Sequence, residues 1–113
     1  MGDGVKAAKI SRQVTLSVAF QEVHSVDARR ALTVNLIRLS NTTGGAVTVQ
    51  VCYAPTGVAA AVGNAVLWDF SIPANDFIEF GEGDIVRNAS VQAKASADNS
   101  VNIRLTGTEE GSI

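Results

Sequence analysis

The sequence predicts an all-β fold: a single antiparallel β-sandwich, jelly-roll or Ig-like, of about eight short strands. Three observations predict it. Val, Ile and Thr together number 30 whereas Leu numbers 6; branching at Cβ is restricted against a helical turn but packs well on a pleated surface. Ten glycines and seven asparagines supply the positive-φ positions that tight turns require. Glu and Lys, the usual coat of amphipathic helices, total eight.

Residues 1–12 read as an N-terminal arm. Lys6, Lys9 and Arg12 place three of the nine basic residues there, so the arm is either solvated and partly frayed or docked on a neighbouring subunit or another acidic surface. It has neither the charged-then-apolar pattern of a secretory signal nor the Ser or Thr of a myristoylation motif, since Lys6 holds that place. The sandwich is expected over 13–108, and 109–113 reads as a flexible tail.

Within the sandwich, Val14, Leu16, Val18 and Phe20 alternate on one side of a strand. Glu22–Val26 reads as a short strand or a bend. Asp27–Arg30 reads as a turn, or as one helical turn capped by Asp27. From Arg30 to Ser40 the parity changes midway: Leu32, Val34 and Leu36 share one face, Ile37 and Leu39 the other. A bulge near Leu36–Ile37 would return both sets to the core; a strand buried on both faces is the rival account. Asn41–Gly45 reads as a hairpin tip, followed by Val47, Val49, Val51 and Tyr53 in strict alternation.

A small-residue connection covers 55–64. Val66, Trp68, Phe70 and Ile72 then share the core face of a strand, with Asp69 and Ser71 opposite. Pro73–Asp76 is a turn, Phe77–Phe80 a short strand, and Gly81–Asp84 a break before Ile85–Val86. Val91, Ala93 and Ala95 alternate up to a second tip, Ala97–Asn99, which leads into Val101, Ile103 and Leu105. Turns at spacings of about 8–12 residues describe a sandwich or small barrel.

Composition narrows the function. With 113 residues the chain is one domain. At 46% hydrophobic and 18% charged it is no disordered polymer. Its apolar runs are too short to cross a membrane as a helix. The single cysteine precludes an internal disulfide, and a net charge of −2 argues against a nucleic-acid-binding surface.

Chemistry-bearing residues are sparse. The single histidine, His24, reads as a strand-edge or surface residue, and Cys52 as an inert thiol on a partly covered sheet face; together they cannot furnish a zinc site or a nucleophile–base pair with any redundancy. Asp69, Asp76, Glu79, Glu82 and Asp84 could in principle pair as in a glycosidase, but they fall on outer faces and turns. Gly81-Glu82-Gly83-Asp84 has too few carboxylates for a calcium loop. The sequons at Asn41 and Asn88 matter only in a secretory pathway. Trp68, Phe70 and Tyr53 share parity with core aliphatics, so no aromatic sugar platform is expected. No catalytic, cofactor-binding or metal-binding residue is expected, and no cofactor.

The stretch Leu36-Ile37-Arg38-Leu39-Ser40-Asn41-Thr42-Thr43-Gly44-Gly45-Ala46-Val47-Thr48-Val49 resembles a hairpin of small β-sandwich structural proteins of tailed bacteriophages. The similarity continues through Gly63–Trp68, Ile72–Asp76, Gly83–Val86 and Val91–Ile103, so it covers roughly Val14 to Thr108. One departure is Ser25-Val26-Asp27-Ala28, where relatives carry a proline. The resemblance implies a non-enzymatic virion component: an accessory sandwich on the capsid, neck or tail, made in the host bacterial cytoplasm. It implies other virion proteins and further copies of itself as partners, with no nucleic acid, membrane or small-molecule substrate. A carbohydrate- or host-surface-binding module is the second reading.

Overall fold

The computed structural model describes residues 5–112. Seven strands run in the order β1 (Val5–Thr15), β2 (Gln21–Asn41), β3 (Val47–Pro55), β4 (Ala65–Ile72), β5 (Phe77–Phe80), β6 (Ile85–Ala95) and β7 (Val101–Ser112), with one 3-10 turn at Val62–Asn64. Every pairing is antiparallel, and the strand order is β1-β7-β2-β6-β3-β4 with β5 also on β2.

The all-β sandwich stands, with fewer and longer strands than expected. β2 runs for 21 residues and serves both layers. Its second half pairs with β7 on one side and with β5 on the other. Its first half, from Gln21 to Val26, pairs with Ala89–Ala93 of β6. One layer is thus β1-β7-β2-β5, here called layer A; the other, layer B, is β4-β3-β6 with the start of β2. The bend lies at Asp27–Arg30, where the ladder skips from Val26 to Ala31 and Asn88 of β6 takes φ 46°. Asp27 accepts a hydrogen bond from the Arg29 amide (2.9 Å), and the segment stays extended instead of turning or coiling.

The parity change in β2 has the physical cause the sequence suggests. The register with β7 skips Asn35, between Val34 and Leu36, one residue before the expected position. Leu32, Val34, Ile37 and Leu39 are all buried, because one extra residue rotates the following side chains to the opposite face. A second skip, at Val23, turns both Val23 and His24 inward. The core between the layers is built of Leu32, Ile37, Leu39, Ile103 and Leu105 from layer A and Val49, Val51 and Val91 from layer B. Each such burial stabilises by about 1.5–3 kcal/mol relative to exposure.

Further expectations change. The two presumed hairpins are crossovers: β2 does not pair with β3, nor β6 with β7, so the tips at 41–45 and 97–99 carry the chain from one layer to the other. Asn41 builds the first of them. Its amide donates to the carbonyls of Gly45, Ile72 and Pro73, and its carbonyl accepts from Thr43. The strand foreseen over 14–20 ends at Thr15; beyond it Leu16 is buried while Val18 is exposed, on a crossover fixed by Leu16 N to Val101 O and Ala95 N to Ser17 O. Lastly, residues 5–12 and 109–112, expected as arm and tail, pair with each other in the β1–β7 ladder. They supply few apolar anchors: among the described side chains of β1, Ile10 is buried and Val14 packs against the core, and the others are exposed.

Candidate functional site

β1 and β4 end the strand order, each paired on one side only. An unpaired edge offers a row of backbone donors and acceptors to another chain. On β4 the edge is also apolar: Val66 is 37% exposed, Trp68 39% and Phe70 43%. The sequence places these three in the core; the structure does not. β4 carries an irregularity against β3 between Phe70↔Val49 and Leu67↔Val51, and Asp69 there takes φ 52°. The offset, together with the edge position, leaves Trp68 and Phe70 half in solvent, and only Ile72 of the expected set is fully buried.

Beside that irregularity the outer face of layer B holds a cleft of about 250 Å³, lined by Val18, Thr48, Gln50, Asp69, Lys94 and Ser96 among others. Gln50 and Lys94 are directly opposed on β3 and β6. Gln50 Nε2 donates to Asp69 Oδ1 at 2.6 Å, and Gln50 Oε1 is buried with no protein donor. The Lys94 ammonium stands 5.1 Å from the centre of the Phe20 ring, and Phe20 lies 6.4 Å from Trp68 at an interplanar angle of 31°. The rings are tilted, so they form no flat platform. Sequence reading missed Gln50 and Phe20. A polar residue between Val49 and Val51 was the available signal, but its partner depends on pairing with β6.

The buried polar cluster lies elsewhere. His24 and Glu109 are 9% and 7% exposed, and His24 Nε2 is 2.8 Å from Glu109 Oε1. Arg30 Nη1 reaches Glu109 Oε2 at 3.3 Å. His24 is therefore an interior residue, turned inward by the skip at Val23, not the surface or edge residue the sequence suggests. Glu109 continues the inward row Val101, Ile103, Leu105, Gly107 on β7.

Of the remaining carboxylates, Asp76 accepts from the Phe77 amide, Glu79 pairs with Arg38 at 3.3 Å, and Glu82 is exposed in its turn. Asp84 accepts from the Tyr53 hydroxyl at 2.7 Å. Burial, then the Asp84 hydrogen bond and charge, push the Tyr53 phenol well above its ordinary value of 10. Among the described residues no group of three or more His, Cys, Asp or Glu could hold a metal ion.

Cys52 is fully buried beneath the 55–64 connection, its thiol 3.5 Å from the Ala61 carbonyl. Burial raises its pKa above the ordinary 9.0. Of the two sequon asparagines, Asn41 is 2% exposed with its amide fully engaged, while Asn88 is exposed.

No protein-family model and no curated protein matches the sequence. Solved structures do match in fold. A chain of Bacillus endospore appendages, a family of disulfide-linked pili, superimposes with a TM-score of 0.60 at 14% identity, over 99% of this chain and 92% of that one. A chain of the acidic stable capsid of Helicobacter pylori bacteriophage KHP30 gives 0.58 at 11% identity, over 95% and 90%. A chain of the T13 particle of infectious bursal disease virus gives 0.53 at 7% identity; 96% of this chain matches 31% of that one. At these identities the likeness is one of fold, and this chain is a β-sandwich of the kind found in a spore appendage and in viral shells.

Proposed function

We propose that the chain is a non-enzymatic structural protein of a bacteriophage virion, an accessory sandwich attached to the capsid, neck or tail, whose copies associate with one another and with other virion proteins. The observation that carries this reading is the pair of open edges at opposite ends of the strand order, β1 and β4, with Val66 and Phe70 exposed along β4. A monomer with no partner would expose an apolar edge to aggregation; in a symmetric array the same edge is covered. Modest contacts suffice there, because each copy is held at several places at once. Support also comes from the fold, which is shared with subunits of a spore appendage and of viral particles, and from the resemblance to small tailed-phage sandwiches.

The test is sedimentation velocity across a wide concentration range, with negative-stain imaging of the heavier fractions. Association into ordered oligomers is expected, and Val66→Lys with Phe70→Lys abolishes it by charging the β4 edge while leaving the core intact. A protein that sediments as a monomer at every concentration, and binds no virion component, would overturn the proposal.

A further inference from the structure

Charge is segregated between the two edges of layer A, and we propose that copies of this chain associate head to tail, the basic β1 edge of one against the acidic β5 edge of the next. The proposal rests on the reading that copies associate, and adds which surfaces meet.

The segregation begins in the sequence. β1 carries Lys6, Lys9 and Arg12 and no acid. Residues 73–86, which hold β5 and the turns on either side of it, carry Asp76, Glu79, Glu82 and Asp84 and no base. The ladders then set the two groups apart. Layer A runs β1-β7-β2-β5, so the basic and the acidic strand are its opposite edges. β5 pairs with β2 alone, as β1 pairs with β7 alone.

These charges face solvent. Lys9, Arg12, Asp76, Glu79 and Glu82 are all exposed. Among the described residues, no carboxylate pairs with Lys9 or Arg12, and no cation pairs with Asp76 or Glu82. Glu79 shares its charge with Arg38 at 3.3 Å.

The same distribution disfavours contacts of like with like. In an isologous dimer each edge meets its own copy. β1 on β1 would oppose bases to bases, and β5 on β5 acids to acids; like charges directly opposite one another destabilise a strand pair. Arg12 sharpens the point. It has the parity of Ile10 and Val14, which pack toward the core, yet it is exposed. A charge directed inward from an edge strand blocks pairing with a like edge, whereas an acidic edge accommodates it.

Strand direction fits as well. Every pairing in layer A is antiparallel, and the layer has four strands, so β1 and β5 run in opposite directions. A copy shifted across the layer without turning over brings its β5 antiparallel to the first copy's β1, and the alternation continues through the joint. β5 adds apolar area, Phe77 being 45% exposed. Because the two surfaces in such a contact differ, it builds a closed ring or an open filament.

The experiment is sedimentation velocity on the full chain and three charge variants. Lys6→Glu, Lys9→Glu and Arg12→Glu together make both edges acidic. Asp76→Lys, Glu79→Lys and Glu82→Lys together make both basic. The third variant carries all six changes, which exchanges the two edges and keeps the net charge of −2. Association of the parent weakens at least ~10-fold between about 0.05 M and about 0.5 M NaCl, as screening of facing charges requires. Each triple variant alone is monomeric where the parent associates, their equimolar mixture associates, and the exchanged chain associates by itself. Recovery in the mixture also shows that both triple variants fold, and the salt series needs no variant. The proposal is overturned if the parent is monomeric at low salt, if its association ignores salt, or if the mixture stays monomeric. Association that persists in both triple variants overturns it too, while leaving intact the broader reading that copies associate.

Discussion

His24 and Glu109 meet across the interior of the sandwich, Nε2 2.8 Å from Oε1, although one belongs to the layer B half of β2 and the other to β7 of layer A. They tie the two layers together at the end of the core, beyond the last apolar residue of the β7 row. Arg30 closes the cluster from the solvent side at 3.3 Å. Since a guanidinium is always charged, Glu109 keeps one cationic partner whatever the state of the imidazole.

Glu109→Ala and His24→Ala should therefore each destabilise the fold, by about 1–3 kcal/mol for a buried group left without its hydrogen-bond partner, His24→Ala the less because Arg30 still faces Glu109. The double variant should lose less than the sum. Urea unfolding of the four proteins measures this; a coupling energy near zero would mean that the two residues stabilise the layers independently.

Gly107 sits in the same inward row of β7, opposite Val34 of β2 and Ile10 of β1. A Cβ there would stand 2.5 Å from the Thr33 carbonyl oxygen and 3.0 Å from Leu32 Cδ1. Backbone cannot yield as a flexible side chain can, so Gly107→Ala should cost about 1–3 kcal/mol, as overpacking does. Gly44→Ala, with nothing within 4 Å of the added carbon, is the matched control. Thermal unfolding of both would separate them.

The Tyr53–Asp84 bond predicts a loss of stability in alkali. The phenol is held protonated in the folded state above its ordinary value of 10, so between the two values the unfolded chain releases a proton that the native chain keeps. Stability is fully present below about pH 10 and falls as pH rises past it. Tyr53→Phe should flatten this alkaline limb. A phenolate absorbance titration of the native protein, showing ionisation at the ordinary value, would refute the argument.

Burial of Cys52 predicts independence from redox state. The matching spore pili are disulfide-linked, but the single cysteine here is fully buried with a raised pKa, and the thiolate is the reactive species. Thiol reagents should modify it slowly in the native state and rapidly in urea. Reducing agent should leave any assembled species unchanged by sedimentation.

Much of the strand content was legible because β-structure writes itself as alternation. Val47–Tyr53, Val91–Ala95 and Val101–Leu105 lie in strands with their aliphatics inward, and the parity change in β2 correctly announced a bulge. Pairing was not legible. Asn41–Gly45 has the composition of a hairpin tip, yet turn residues specify only that the chain reverses; whether the next strand joins the same layer or the facing one depends on contacts distant in sequence. Edge position was equally hidden. Trp68 and Phe70 alternate like core residues, and it is the edge position together with the irregularity at Asp69, set by the register with β3, that leaves them half in solvent. Glu109 failed to stand out for the related reason that its value as an interior group depends on a histidine 85 residues away.

The β1–β7 ladder sets Val5 opposite Ser112, so the polypeptide enters and leaves this domain at one corner. A peptide or protein joined at either end would project from that same place. Bridging the two ends with a few residues and reopening the circle at the exposed 55–64 connection would yield a circular permutant whose every strand retains its neighbours.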